Sequence, residues 1–318
     1  MRIVYWTGFQ RTDMYSIIIP IYNENDIIPE LYRRLKLAAD SLDAPAEFIF
    51  VDDASSDESF LRLEELHASD PRIKVIRLSR NFGHQVAITA GLDHANGDAV
   101  MMMDGDLQDP PELLPQLAAR WKEGFQVVYT VKRSRKEHFL MRLAFSTFYR
   151  VMHAFSPIAI PMEAGNFSLL DRRVVEVFRR MPERNRYISG MRAWAGFKQT
   201  GIEFDRGARF AGKPKMTLRR LINLALDGVI SFSNAPLRLS IYVGIGTAGL
   251  SFVITGYVLY AKLFTNTAIL GWASTIAAVT FIGGMILLTL GVIGEYIGRI
   301  YDEVKQRPIY IVKDKVGL

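Results

Sequence analysis

The fold of this 318-residue chain is decided by the segment Asp98-Ala-Val-Met-Met-Met103, which runs directly into Asp104-Gly-Asp-Leu-Gln-Asp109. The residues from Ala99 to Met103 are all apolar, as in a strand that is buried on both faces of a sheet. The next six residues are mostly polar and include a glycine, as in a loop. A buried strand that ends in acidic residues is typical of an open α/β sheet, in which ligands bind at the carboxyl ends of the strands.

Short apolar runs alternate with segments of helical periodicity from Tyr15 to Val131. This alternation predicts parallel βα units and an α/β fold. The expected strands are Tyr15 to Ile19, Glu47 to Val51, Ile73 to Leu78, Asp98 to Met103 and Gln126 to Val131. The expected helices are Asp26 to Leu42, Asp57 to His67, His84 to Ala95 and Pro111 to Trp121. Polar clusters follow the first, second and fourth strands, and we expect them to meet in one crevice.

The composition excludes several classes of protein. Cysteine is absent, which excludes disulfides, thiolate catalysis and cysteine-ligated metals. The net charge of +6 suits anionic lipid, phosphate or nucleic acid without choosing among them. The hydrophobic content of 49% is concentrated in two uncharged runs, Leu239 to Ala261 and Ala268 to Gly294. Each run is long enough to span a bilayer as a helix, which excludes an all-soluble protein.

The two uncharged runs predict a transmembrane hairpin with both ends on one side of the membrane. Basic residues on its flanks outnumber the single Lys262 in its turn, which places the large domain and both termini in the cytoplasm. We therefore expect a multi-pass protein of the inner (cytoplasmic) membrane. The amphipathic segments Phe139 to Phe155 and Leu218 to Phe232 are expected to lie in the membrane interface. Small residues such as Gly294 and Gly298 would allow copies to associate as a homo-oligomer.

These patterns divide the chain into five segments. They are an N-terminal extension (1–13), the large domain (14–205), a basic juxtamembrane segment (206–236), two transmembrane helices (237–298) and a cytoplasmic C-terminal tail (299–318). The extension lacks the apolar stretch and the cleavage site of a signal peptide. Because Met14 directly precedes the first strand, we expect the extension to be dispensable.

Asp104 and Asp106 are the strongest candidates for chemistry. Two carboxylates on either side of a glycine can share a divalent cation with the oxygens of a diphosphate, and Mg²⁺ or Mn²⁺ prefers few carboxylates plus substrate phosphate. An Asp-x-Asp pair alone is more often a turn or a helix cap. Here Asp52 and Asp53 end a second strand and could accept hydrogen bonds from a uracil ring and a ribose. Three polar strand ends are hard to explain as unrelated turns.

Five stretches resemble glycosyltransferase family 2, and specifically its membrane polyisoprenyl-phosphate glycosyltransferases of the bactoprenol glucosyltransferase type. They are Ile18-Ile-Pro-Ile-Tyr-Asn-Glu-Asn25, Val51-Asp-Asp-Ala-Ser-Ser-Asp57, Leu78-Ser-Arg-Asn-Phe-Gly83, Met103-Asp-Gly-Asp-Leu-Gln-Asp-Pro-Pro-Glu112 and Gly291-Val-Ile-Gly-Glu-Tyr-Ile-Gly-Arg-Ile-Tyr301. The resemblance implies a GT-A-type (Rossmann-like) fold, an inverting mechanism, a UDP-sugar donor and a polyisoprenyl phosphate acceptor. Glucose is the expected sugar, and the product would be a lipid-linked sugar for cell-envelope glycans.

The resemblance also implies roles for individual residues. The nucleotide sugar would be held by Pro20, Tyr22, Glu24, Asp52, Asp53 and Asp104. The metal, Mg²⁺ or Mn²⁺, would be held by Asp104, Asp106 and Gln108. Arg133 and Arg135 would approach the donor or acceptor phosphate. A basic segment matched by the family would supply three further contacts to the nucleotide sugar, namely Arg206, Arg209 and Lys215.

Asn166 stands where relatives commonly have an aspartate that is sometimes proposed to assist catalysis. An asparagine cannot take a proton, so we interpret Asn166 as a polar positioner and Glu163 as a substitute acid. A lipid monophosphate is largely a dianion at neutral pH and needs little deprotonation before it attacks.

Several alternatives stay open. The donor could be GDP-mannose instead of a UDP-sugar, which would make the chain a polyprenyl-phosphate mannose synthase. A processive polysaccharide synthase is less favoured, because the Q-x-x-R-W signature of such enzymes is missing. The nearest approach to it is Arg192-Ala-Trp194. A catalytically silent membrane scaffold or nucleotide sensor is favoured by Asn166 and opposed by the acidic pair. We expect no nucleic-acid partner, and we interpret His84 and His94 as structural because no carboxylate partner can be assigned to them.

Overall fold

The computed structural model describes residues 14–132, 164–184, 186–204, 235–264 and 271–318. The described residues up to Phe204, together with those from Arg307 onward, form one compact unit, and the residues from 235 to Gln306 belong to a second. The N-terminal extension and both predicted interfacial helices lie outside the described residues.

The first unit is built on a mixed sheet of eight described strands. They are β1 (Tyr15–Ile21), β2 (Ala46–Asp52), β3 (Ile73–Leu78), β4 (Ala99–Met102), β5 (Val127–Lys132), β6 (Ala164–Asp171), β7 (Gln199–Phe204) and β8 (Val312–Val316). Their order across the sheet is β7-β5-β6-β4-β1-β2-β3-β8. The strands β4, β1, β2 and β3 run parallel to one another, whereas β6 is antiparallel to both of its neighbours and β8 is antiparallel to β3.

Helices cover both faces of this sheet. They are α1 (Ile28–Asp40), α2 (Ser59–Ser69), α3 (His84–His94), α4 (Leu114–Lys122), α5 (Arg172–Arg180) and α6 (Ile188–Ala195), and a short 3-10 turn (Pro111–Leu113) precedes α4. The sequence predicted the first five strands and the first four helices correctly, with ends that differ by a few residues. The early strands are predictable because they are apolar runs, and proline at the start of a helix is a reliable local signal.

The core consists of two apolar layers, one on each face of the sheet. Along β1, Ile17 and Ile19 point into the layer under α1, α2 and α4, while Ile18 points into the layer under α3, α5 and α6. All three side chains are fully buried, and burial of an isoleucine is worth about 1.5–3 kcal/mol. This double burial fixes the position of β1 and therefore of the loop at its carboxyl end.

The last residues of the chain return to the sheet as β8. The hydroxyl of Tyr310 donates to Asp93 Oδ2 at 2.9 Å, and the N–H of Ser79 donates to the carbonyl of Ile311 at 2.9 Å. The segment predicted as a cytoplasmic tail therefore includes an edge strand. Its sequence, Val-Lys-Asp-Lys-Val, is short and charged, so local pattern alone does not identify it.

The second unit contains two long helices, α7 (Ala235–Phe264) and α8 (Trp272–Val304), which pack against each other. They form the two arms of the predicted hairpin. Large apolar side chains point outward from both of them, including Phe252 at 81% exposure and Leu287 at 70%. Within the described ranges, Phe281–Val304 alone is long and apolar enough to cross a membrane, and Ser240–Ile254 is a shorter apolar stretch.

Candidate active site

The loops that follow β1 and β2 are bonded to each other at the carboxyl edge of the sheet. The backbone N–H of Asn23 donates to Ser55 Oγ at 2.9 Å, and the N–H of Ser56 donates to Asn23 Oδ1 at 2.8 Å. The N–H of Glu24 donates to Ser59 Oγ at 3.0 Å. These bonds hold the half-buried Glu24 and the exposed Tyr22 at the rim, while Pro20 is buried within β1.

Asp52 and Asp53 are almost completely buried, at 0% and 3% exposure. Asp52 accepts from the N–H of Ser55 at 3.0 Å and lies 3.3 Å from Arg77 Nε. Asp53 accepts from the N–H groups of Phe82 and Gly83 at 2.7 and 2.9 Å. Burial raises the pKa of both carboxyl groups above its usual value, although these bonds act in the opposite direction. Both side chains thus support neighbouring loops, in addition to the nucleotide contact that the sequence predicts for them.

The acidic turn, Asp104 to Asp109, lies against the end of β1 because of a glycine at its second position. A Cβ atom on Gly105 would lie 2.8 Å from Ile21 Cδ1 and 3.0 Å from the carbonyl oxygen of Pro20. A larger residue would require the Ile21 side chain and the backbone of Pro20 to give way. Within the turn, the N–H of Gln108 donates to Asp106 Oδ1 at 3.1 Å.

Backbone strain marks the same three loops. The described non-glycine residues with positive φ are Asn23, Ala54, Leu107 and Gln306, and the first three lie directly after β1, after β2 and in the acidic turn. A left-handed backbone is costly for alanine and leucine and persists where the surroundings over-determine it, as they do at ligand sites. The strain therefore supports a ligand site at this edge.

His84 lies at the start of α3 and brings two of the predicted site residues together. Its Nε2 atom is 3.1 Å from Asp104 Oδ1 and 3.0 Å from Asn166 Nδ2 on β6. Desolvation by the surrounding protein atoms alone would lower the pKa of the imidazole. The contact with Asp104 and the charges of Asp104, Asp109 and Asp106 outweigh this effect, so that the pKa of His84 is raised.

The acidic turn fits a divalent cation in its donor atoms. Asp104 is 30% exposed at its side chain, Gln108 is half-buried and Asp106 is 8% exposed, and together they place two carboxylates and one carboxamide in one short turn. In the part of the chain that the structure describes, no three histidine, aspartate or glutamate side chains form a metal cluster. Such a sparse set suits a cation that shares its coordination with substrate phosphates.

The predicted site residues fall into two groups. The structure gathers the following at one edge of the sheet: Pro20, Tyr22, Glu24, Asp52, Asp53, Asp104, Asp106, Gln108 and Asn166. The others lie outside the described residues, namely Arg133, Arg135, Glu163, Arg206, Arg209 and Lys215. The roles assigned to both groups stay predictions.

The prediction that His84 has no carboxylate partner is wrong, because its side chain contacts Asp104. His84 and Asn166 are 82 residues apart in the chain, and Asn166 lies on a strand that was not predicted. The available signal was local: Gly83 ends a loop after a predicted strand, which places the next residue at the ligand edge.

Comparison of the sequence relates this chain to known proteins. Glycosyl transferase family 2 matches residues 16–178, and a GtrB C-terminal hairpin matches residues 235–300. An uncharacterized glycosyltransferase YkcC of Bacillus subtilis is 47% identical over 96% of this chain and 94% of its own length. An SfII prophage-derived bactoprenol glucosyl transferase of Shigella flexneri is 38% identical over 94% of this chain and 97% of its own length. The predicted family and GT-A fold class are thereby confirmed.

Solved structures resemble the chain more distantly. The glucosyl-3-phosphoglycerate synthase of Mycobacterium tuberculosis, in complex with Mn²⁺, UDP and glucosyl-3-phosphoglycerate, has a TM-score of 0.45 at 16% identity, over 68% of this chain and 77% of its own.

Gly83 provides a test of the loop that carries His84. Its φ is +100°, and nothing lies within 4 Å of a Cβ added to it, so Gly83→Ala should introduce backbone strain of about 1–3 kcal/mol and displace His84. We expect a clear loss of glycosyl transfer, measured as product formed per minute.

The matched control is Gly124→Ala. Gly124 has a φ of +93° and equally open space, but it lies in the turn between α4 and β5, away from the carboxyl edge of the parallel strands. The two variants should lose similar thermal stability, and Gly124→Ala should keep its activity. Equal activity in both variants would contradict the importance of this loop.

Proposed function

Because the chain belongs to glycosyl transferase family 2 and is a glycosyltransferase, we propose that it transfers glucose from UDP-glucose to a polyisoprenyl phosphate at the cytoplasmic face of the membrane. The observation that carries this proposal is the 38% identity to a bactoprenol glucosyl transferase over nearly the whole of both chains. The acidic turn and the apolar hairpin would supply the two features that such a reaction needs, a diphosphate site and a membrane anchor.

The hairpin relates the chain to a membrane. The match over residues 235–300 and the apolar stretch Phe281–Val304 indicate membrane association. We propose further that both helices span the inner membrane and that the large domain and both termini are cytoplasmic, since the flanking residues are more basic than the turn. The five-segment division of the chain belongs to this same proposal.

The proposed reaction is a single inverting displacement. A phosphate oxygen of the acceptor forms a bond to the anomeric carbon, while the bond from that carbon to the β-phosphate oxygen breaks and its electron pair leaves with UDP. The proposed nucleotide-sugar contacts are Pro20, Tyr22, Glu24, Asp52, Asp53, Asp104, Arg206, Arg209 and Lys215. The proposed contacts to the donor or acceptor phosphate are Arg133 and Arg135. A cation held by Asp104, Asp106 and Gln108 would supply positive charge to the departing diphosphate.

Asn166 contributes by position in this proposal. Its Oδ1 atom accepts from Gln85 Nε2 at 3.4 Å, and its Nδ2 atom lies against His84, so both ends of the amide are held. A dianionic acceptor brings its own nucleophilic charge, which removes the need for a strong base. Glu163, three positions before Asn166 in the chain, is proposed as the carboxylate that takes up a residual proton.

The direct test is a donor panel. The purified full chain is incubated with Mg²⁺, undecaprenyl phosphate and, in separate reactions, UDP-glucose, UDP-galactose, UDP-N-acetylglucosamine and GDP-mannose. Mass spectrometry should detect a hexosyl lipid with UDP-glucose, and NMR should show a β-linked product from this α-linked donor. Product with GDP-mannose alone would overturn the donor assignment, an α-linked product would overturn the inverting mechanism, and no product with any donor would overturn the proposal.

Asp106 tests the metal site. We expect Asp106→Ala to abolish metal-dependent transfer, because the cation loses one of its two proposed carboxylates. Asp106→Asn is the companion variant, since its amide oxygen can still accept from the N–H of Gln108 and spares the turn. Turnover and Mn²⁺ binding should fall in both variants while Asp106→Asn unfolds near the wild-type temperature; wild-type turnover would refute the assignment.

Asn166 tests the need for a base. If Asn166 only positions its neighbours, Asn166→Asp should keep appreciable transfer, because the carboxylate retains an oxygen for Gln85. Initial rates at saturating UDP-glucose and acceptor measure this directly. Complete loss of transfer in a folded variant would count against a positioning role.

A further inference from the structure

His84 is the point where the two sides of the site meet. Asp104 follows β4, Asn166 lies near the start of β6, and the imidazole Nε2 is within 3.1 Å of both. The side chain is 41% exposed, so it lies open to a ligand at the same edge of the sheet.

Hydrogen bonds to the residues directly before and after His84 fix its position. Asp53 accepts from the N–H groups of Phe82 and Gly83, which fixes the two residues before it. The next residue, Gln85, donates to Asn166 Oδ1 at 3.4 Å and accepts from the N–H of Ile188 at 3.1 Å. Consecutive residues of α3 therefore hold the two ends of the same carboxamide.

We propose that His84 is a positioning residue that holds the Asp104 carboxylate and the Asn166 carboxamide in register across the site. A ring nitrogen has one hydrogen-bonding position, so Nε2 can donate to Asp104 or accept from Asn166 but cannot serve both fully. The two contacts compete, and a change at Asp104 is therefore transmitted to Asn166. The functional part of this inference rests on the proposed metal and nucleotide role of Asp104.

His94, on the same helix, shows what a structural histidine looks like here. Its Nδ1 atom lies 2.8 Å from the carbonyl oxygen of Ala90, one turn earlier in α3. Its ring thus bonds to its own helix, ten positions along the chain from His84. His94→Ala removes an imidazole from α3 without touching the site, which makes it the matched control.

The experiment compares His84→Ala, His84→Gln and His94→Ala with the wild type in the full-length chain. The dissociation constant of Mn²⁺ is measured by electron paramagnetic resonance in the presence of UDP. Loss of a group that orients a metal-binding carboxylate typically weakens metal binding by about 10–100-fold. We expect a weakening of at least about tenfold in His84→Ala and none in His94→Ala, with similar thermal unfolding of both.

His84→Gln supplies the rescue. A glutamine side chain carries a donor and an acceptor at once, so it can donate to Asp104 and accept from Asn166 together. His84→Gln should therefore recover most of the Mn²⁺ affinity that His84→Ala loses. Wild-type Mn²⁺ affinity in His84→Ala, or no recovery in a folded His84→Gln, would overturn the proposal.

A metal-free measurement separates this inference from the proposed function. In protein labelled with ¹⁵N-histidine and free of metal and nucleotide, the imidazole resonances of His84 should shift in Asp104→Asn and in Asn166→Ala, and should not shift in His94→Ala. Unshifted resonances would overturn the positioning role. If the resonances shift in these two variants but the wild-type protein binds no Mn²⁺, the proposed metal site is overturned and the positioning role stands.

Discussion

The site depends on the hydrogen bonds that the buried carboxylate of Asp53 accepts from the backbone. Asp53 is 3% exposed, and burial of a charged group is costly unless hydrogen bonds compensate for it. Two backbone N–H groups, from Phe82 and Gly83, supply that compensation at 2.7 and 2.9 Å. Because these residues lead directly into α3, the bonds that satisfy Asp53 also set where α3 begins. The first residue of α3 is His84, so a buried carboxylate directly after β2 positions the group that contacts the acidic turn.

Hydrogen bonds between the loops at this edge hold them in place. Asn23, Ala54 and Leu107 have positive φ values, and each lies in a loop whose ends are fixed by a buried strand. Bonds from Asn23 to Ser55 and Ser56 link two of these loops directly. Such cross-bracing stores strain in the backbone while it keeps the polar groups in place, and pre-placed groups need little rearrangement when a ligand binds.

The sequence predicts those features of the fold whose signals act over a few neighbouring residues. The early strands and helices are marked by apolar periodicity and by helix-terminal residues, which act over a few positions, and the family motifs identify the acidic turn. The strands β6 and β8 carry weaker local signals: β6 follows a long segment without parallel βα alternation, and β8 is five residues with three charges. The contact between His84 and Asn166 joins residues 82 positions apart, so only the assembled sheet reveals it. The predicted arginines and Lys215 lie outside the described residues, so their roles in binding stay predictions.

Charge balance gives the strongest physical reason to expect a cation here. Asp52, Asp53, Asp104, Asp106 and Asp109 all lie at or just beyond the ends of β2 and β4, and like charges at one edge of a sheet repel one another unless they are compensated. Arg77 compensates Asp52, backbone N–H groups donate to Asp53, Asp106 and Asp109, and His84 faces Asp104. A diphosphate would add further negative charge to the same edge. The arrangement is therefore electrostatically consistent for a nucleotide sugar only when positive charge accompanies it, and the acidic turn holds the carboxylate and amide oxygens that a hard divalent cation prefers.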